Sequence, residues 1–275
     1  MNPPRSRWGI YEKALPTGSS WTELLGSVTA AGYEFLEVSI DESEERLERL
    51  HWSAGYRQAL HRALNDSEAT IDTMCLSAHR RYSLGSASAS IREQGLTIVK
   101  QAIEFAAEFG LRIVQVAGYD VFYEESTEET RALFLENLFR AAEAAEAACV
   151  MLGIENVDRP VMDSITKALG FVKEINSPWF QIYPDIANLA AMGLDVCSEL
   201  LVGRSHLVGL HLKDSRPGEI RRVPFGEGMV QFPSVFRVLG EIGYRGPFVV
   251  EMWNEALGEP VAAASLARRW LMERQ

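Results

Sequence analysis

Four residues close four successive apolar runs in the second half of the chain: Glu155 after Met-Leu-Gly-Ile, Asp185 after Gln-Ile-Tyr-Pro, His211 after Val-Gly-Leu, and Glu251 after Phe-Val-Val. Three carboxylates brought together without a cation repel one another and drive each other's pKa upward, whereas a divalent ion holds all three ionised. Three oxygen donors and one imidazole suit Zn²⁺, Mn²⁺, Co²⁺ or Mg²⁺ about equally, so the set calls for one divalent metal ion without naming it. Any one of these residues taken alone reads more naturally as a strand cap or as the partner of a nearby Lys or Arg. Four at the same end of four runs is a coincidence that this simpler reading does not explain.

For those side chains to meet, the runs must be neighbouring parallel strands that end on one mouth. Short β-rich runs do alternate with longer helical stretches along the whole chain. The strands are expected at Trp8–Tyr11, Phe35–Ser39, Ile71–Ser77, Ile113–Ala117, Val150–Glu155, Phe180–Tyr183, Leu207–Leu212 and Phe248–Glu251, most of them continuously apolar as strands buried on both faces should be. Ser20-Trp-Thr-Glu23 and Ser126-Thr-Glu-Glu129 match the S/T-x-x-E box that caps a helix start, and Gly32, Gly110 and Gly243 stand where helices should stop. No glycine-rich phosphate turn follows Tyr11, which argues against a doubly wound open sheet. Eight βα units in one chain of 275 residues predict a single (β/α)₈ TIM barrel, one domain over residues 1–275.

Composition narrows the function classes. The formal charge is −11, from 38 acidic and 27 basic residues, so the average surface repels nucleic acid and anionic membrane. The start, MNPPRSRWGIYEKALP, lacks the apolar core of a secretion signal, and a cytoplasmic protein is expected. Cys75, Cys149 and Cys197 form no C-x-x-C pair and read as reduced packing residues. The partner is expected to be a small molecule, with a homodimer left open.

Several other residues could serve the mouth. His79 ends the third run and is open to two readings, a substrate contact or a satisfied structural histidine. His51, His61 and His206 fall on helix surfaces or loops and receive no role. Arg80, Arg81 and Lys213 could supply charge to a phosphate or remain surface cations. Gly226 and Gly228 could bring backbone N–H groups to a substrate or simply form a turn.

At these residues the chain resembles the L-ribulose-5-phosphate 3-epimerases, within the xylose isomerase-like barrel superfamily. The resemblance runs through Gly9-Ile-Tyr-Glu-Lys-Ala-Leu-Pro16, Met74-Cys-Leu-Ser-Ala-His-Arg-Arg81, Ala117-Gly-Tyr-Asp-Val121, Pro178-Trp-Phe-Gln-Ile-Tyr-Pro-Asp185 and Val223-Pro-Phe-Gly-Glu-Gly228. It implies a metal held by Glu155, Asp185, His211 and Glu251, with the two glutamates as the acid/base pair, and a place in L-ascorbate utilisation. The stretch Gly153-Ile-Glu155-Asn-Val-Asp158 is more polar than the resemblance leads one to expect. Asn188 stands where epimerases of free ketoses usually carry a histidine, which favours a phosphorylated substrate and makes Asn188 a candidate contact beside His79, Arg80 and Lys213.

The implied reaction interconverts L-ribulose 5-phosphate and L-xylulose 5-phosphate through a cis-enediolate. Inverting C3 beside a C2 carbonyl requires two opposed bases, and Glu155 and Glu251 are the pair expected. The alternatives on the same barrel are an aldose–ketose isomerase, acting for instance on a hexulose 6-phosphate, and a 3-epimerase of another ketose. A multi-metal endonuclease would need more than five histidines and a basic groove. A binding barrel without turnover would have no use for two opposed bases.

Overall fold

The computed structural model describes residues 6–256 and 258–275. Residues 1–5, part of the stretch read above for a secretion signal, lie outside them. Seven strands run in order: β1 (Trp8–Tyr11), β2 (Phe35–Ile40), β3 (Thr70–Leu76), β4 (Ile113–Ala117), β5 (Met151–Glu155), β6 (Phe180–Ile182) and β7 (Leu210–Leu212). A hairpin of β8 (Asp214–Arg216) and β9 (Glu219–Val223) then leaves the barrel before β10 (Phe248–Val250) completes it. The helices are α1 (Trp21–Ala30), α2 (Glu44–Leu47), α3 (Ala54–Asn65), α4 (Ala89–Phe109) and α5 (Glu128–Ala148) in the first half of the chain. They continue as α6 (Ile165–Ile175), α7 (Ile186–Ala191), α8 (Val196–Gly203), α9 (Phe232–Glu241) and α10 (Pro260–Met272). Among the described residues no helix is long and apolar enough to cross a membrane.

Eight strands pair in parallel in the order β6-β5-β4-β3-β2-β1-β10-β7. The seam between β6 and β7 closes through Ile182 with Leu207 and Asp185 with His211. This is the expected (β/α)₈ barrel. The seventh strand begins later than the apolar run Leu207–Leu212 suggests, because its partner β6 stops early. Pro184 has no N–H to offer there, and His211 N instead donates to the Pro184 carbonyl at 2.9 Å. The hairpin was not foreseen, although Pro217-Gly218 with Gly218 at φ 77° is a plain turn signal. The Ser20–Glu23 capping box forms as expected. At α5 the cap is Thr127 paired with Thr130, one residue later than expected, because Ser126 spends its hydroxyl on Asp120.

Strand alternation explains how the interior becomes a site. Tyr11, Phe35, Cys75, Ile113, Tyr183 and Val249 form an apolar layer inside the barrel. Two residues further along the same segments come Glu37, Ser77, Gln115, Asp185 and Glu251, while after β1 the chain turns into the 3-10 turn Glu12–Ala14. A greasy floor thus carries a polar layer, while the opposite strand faces pack on the helices. The fully buried Tyr183 ring fits because Gly153 and Gly209 lack a Cβ; one built there would lie 2.7 Å and 2.2 Å from Tyr183 atoms.

Candidate active site

Glu155 is the last residue of β5, His211 the middle of β7, and Glu251 the first residue past β10. Asp185 caps α7: its Oδ1 accepts the N–H groups of Ala187 (2.8 Å) and Asn188 (3.0 Å), which leaves Oδ2 for the barrel interior. The fold brings the four together, with one ligand atom from each within 4.8 Å of the others. His211 Nδ1 lies 2.9 Å from Glu155 Oε1 and 3.9 Å from Glu251 Oε2. Gln115 Nε2 donates to the other Glu155 oxygen at 2.6 Å.

Lys213 reaches the same cluster. Its ammonium pairs with Asp185 Oδ2 and lies 3.1 Å from Glu251 Oε2, while donating to Asn188 Oδ1 at 3.2 Å. Extended geometry therefore persists past His211, and Lys213 faces the carboxylates instead of the rim at which a phosphate reading would put it. Asn188 supports Lys213 and donates to the Asn156 carbonyl at 3.0 Å. Both candidate contacts are thus committed to the carboxylate cluster and to each other.

The charges are in tension. Burial pushes the carboxyls of Glu155 and Asp185 above their ordinary range, despite His211 beside the first and Lys213 beside the second. Burial acts the same way on Glu251, but the Lys213 ammonium and His211 outweigh it and hold that carboxyl at about 2. For His211 burial favours the neutral ring, yet Glu37 and Glu251 overcome it and raise its pKa well above the ordinary value. Among the described residues Asp185 Oδ2 and Glu251 Oε2 are buried and accept no hydrogen bond of good geometry, with the Lys213 ammonium beside both and His211 Nδ1 3.9 Å from the second. A divalent ion fits this donor set of three carboxylates and an imidazole, and Glu155, Asp185, His211 and Glu251 are the residues that would hold it.

A cavity of about 250 Å³ opens above the cluster, bordered by Tyr11, Ser77, Arg80, Arg221 and Trp253 as well as the two glutamates. Arg80 is where the sequence reading put it, with its guanidinium over the Phe122 ring at 5.6 Å. His79 is not at the mouth: its Nε2 lies 3.1 Å from the Gly95 carbonyl of α4, and burial pulls its pKa down to about 4. The 3-10 turn Ala78–Arg80 swings it away from the barrel axis, which corrects the substrate-contact reading in favour of the structural one. Gly226 and Gly228 are also committed, both donating to Asp214 Oδ2 at 3.0 Å to fold the hairpin loop. Sequence reasoning missed Glu37, Gln115 and Arg221. The first two were legible as polar residues inside apolar strands; Arg221 needed the hairpin.

The chain matches the model of the xylose isomerase-like TIM barrel family over residues 26–274. It is 48% identical over 266 residues to a relative from Escherichia coli O157:H7 named L-ribulose-5-phosphate 3-epimerase UlaE, covering 97% of this chain and 94% of the relative. Among solved structures, the apo form of 3-keto-D-glucoside 4-epimerase YcjR from E. coli superposes with TM-score 0.80 at 18% identity, over 98% of this chain and 100% of the other. D-allulose 3-epimerase from Methylomonas sp. in complex with D-allulose gives TM-score 0.80 at 18% identity, over 99% and 98%. These two are likenesses of fold. The chain belongs to the xylose isomerase-like TIM barrel family and is an enzyme of the isomerase class. Within it, the chain is a member of the L-ribulose-5-phosphate 3-epimerase family.

Proposed function

We propose that this barrel interconverts L-ribulose 5-phosphate and L-xylulose 5-phosphate by inverting C3, using Glu155 and Glu251 as the acid/base pair and one divalent metal ion. The observation that carries the reading is the approach of two glutamates, from the non-adjacent strands β5 and β10, to one cavity with His211 between them. The printed name of the 48% identical relative supports the substrate. One carboxylate removes the C3 proton, leaving an enediolate, and the other carboxyl returns a proton to the opposite face; the roles exchange when the reaction runs backwards. A divalent ion bound by the four residues would supply Lewis-acid polarisation of the C2 carbonyl and charge for the developing oxyanion. The Gln115 donor orients Glu155, and Lys213 sits against Glu251.

NMR of the protein with L-ribulose 5-phosphate in heavy water tests this. The expected result is deuterium at C3 together with L-xylulose 5-phosphate, lost on chelation and restored by Zn²⁺ or Mn²⁺. Exchange at C1 with formation of an aldose would replace the epimerase by an aldose–ketose isomerase. Undiminished turnover in protein shown to be metal-free would remove the metal from the mechanism.

A further inference from the structure

Glu37 lies at the centre of the barrel, fully buried in the middle of β2, and belongs to no part of the acid/base chemistry above. Its carboxylate takes three donors. Oε1 lies 2.6 Å from His211 Nε2, while Oε2 accepts from the Thr73 hydroxyl at 2.8 Å and the Tyr183 hydroxyl at 2.9 Å. Thr73 comes from β3, Tyr183 from just past β6 and His211 from β7, so three parts of the barrel fix the position of one carboxylate. Tyr183 also meets the imidazole edge to face at 4.9 Å between ring centres, which holds the plane of the ring. On its other side that ring turns Nδ1 toward Glu155 and Glu251.

An imidazole binds a metal through whichever nitrogen is free of a proton, and the other nitrogen's hydrogen bond decides which one that is. A carboxylate facing Nε2 accepts a proton held there, so a divalent ion would displace only the proton that Nδ1 shares with Glu155 and would take up the Nδ1 lone pair. We propose that Glu37 is the positioning residue that fixes the Nε2-protonated tautomer of His211 and so presents Nδ1 to the divalent ion, with Tyr183 and Thr73 holding Glu37 in place. The inference rests on the metal reading above. A buried carboxylate that merely filled space would be a poor choice for an apolar strand, since it must be desolvated.

The test uses the whole chain with Zn²⁺ as the probe. Imidazole ¹⁵N–¹H correlation spectra of the wild-type protein loaded with Zn²⁺ should show His211 protonated at Nε2 and ligated at Nδ1. Competition with a chromogenic chelator should give a dissociation constant roughly ten- to a hundredfold weaker in Glu37→Gln, and a smaller loss in Tyr183→Phe. A purely structural Glu37 would lower the unfolding temperature and leave both readouts unchanged. Zn²⁺ held through Nε2, or affinity within about twofold of wild type in a folded Glu37→Gln, overturns the proposal. Should Glu37→Gln not fold, the wild-type spectrum and Tyr183→Phe decide it. A wild-type chain that binds no Zn²⁺ overturns the metal reading itself, a result distinguishable from tight binding that ignores Glu37.

Discussion

Two of the barrel strands lead into a fully buried histidine, and the two rings live in opposite electrostatic worlds. His79, just beyond β3, has one neighbour of consequence, the Gly95 carbonyl at 3.1 Å, and its Nδ1 has no partner. Burial outweighs that one hydrogen bond and leaves the ring neutral, with a pKa of about 4. His211, within β7, lies between Glu37 and Glu155, and those carboxylates reverse what burial would do. Equal burial therefore does not set the charge of a histidine; the strands around it do. The contrast extends to the whole mouth. Strands β5, β6, β7 and β10 bring the four candidate ligands from within them or just past their ends, whereas the segments after β1 and β3 bring Lys13, Ser77 and Arg80. A substrate with a reacting end and an anionic end meets a polarised cavity of that kind.

The largest effect expected of any substitution is at the acidic half. Glu155→Gln and Glu251→Gln should each lower turnover by ~10²–10⁴-fold, the usual cost of a missing acid or base. Metal content measured alongside separates loss of the proton carrier from loss of the ion. Near wild-type deuterium exchange at C3 in either variant would take that residue out of the pair.

His79 predicts a pH dependence of stability rather than of catalysis. Its folded-state pKa of about 4 lies below the ordinary 6.5, so the unfolded chain binds the proton more readily between those values. The contribution is fully present above pH 6.5 and is lost as pH falls toward 4, roughly 3 kcal/mol in all. Replacing it by Gln should flatten the slope of unfolding free energy over that window by up to ~1.4 kcal/mol per pH unit. Denaturant titrations at several pH values measure it, and an unchanged slope would mean that His79 opens to solvent.

Lys213 separates the two halves directly. Its ammonium is 3.1 Å from Glu251 Oε2, so Lys213→Met should lower kcat/KM about tenfold or more, the worth of a charged hydrogen bond, for phosphorylated and free ketose alike. A loss confined to the phosphorylated substrate would return Lys213 to the rim.

The barrel and the strand-end acids were legible because continuously apolar runs and their closing residues are local features of the sequence. Orientation was not local. Whether His79 turns inward depends on the 3-10 turn and on α4 behind it, and Lys213 reaches the cluster only because β7 stays extended beyond His211. Glu37 was hidden by the same logic: a lone acid inside an apolar strand announces itself, but its partner is 174 residues away. Arg221 needed a hairpin whose only cue was Pro217-Gly218.

The smallest expected effect tests the cationic half. The Arg80 guanidinium borders the cavity, and its Nε is buried with no acceptor, so a donor stands ready for an anionic group that the protein does not supply. The guanidinium lies over the Phe122 ring, 5.6 Å from the centroid. A charge-assisted contact to phosphate is worth ~1.5–3 kcal/mol, so Arg80→Ala should weaken use of the phosphorylated ketose about tenfold while leaving the free sugar nearly unaltered. The ratio of kcat/KM for the two substrates, in wild type and variant, isolates that term from any general damage to the site, since damage at the reacting end moves both values together. An unaltered ratio would shift the phosphate toward Arg221, which also borders the cavity and already acts electrostatically on Glu251. A wild-type preference for the free ketose would remove the need for a phosphate site on any arginine of the cavity.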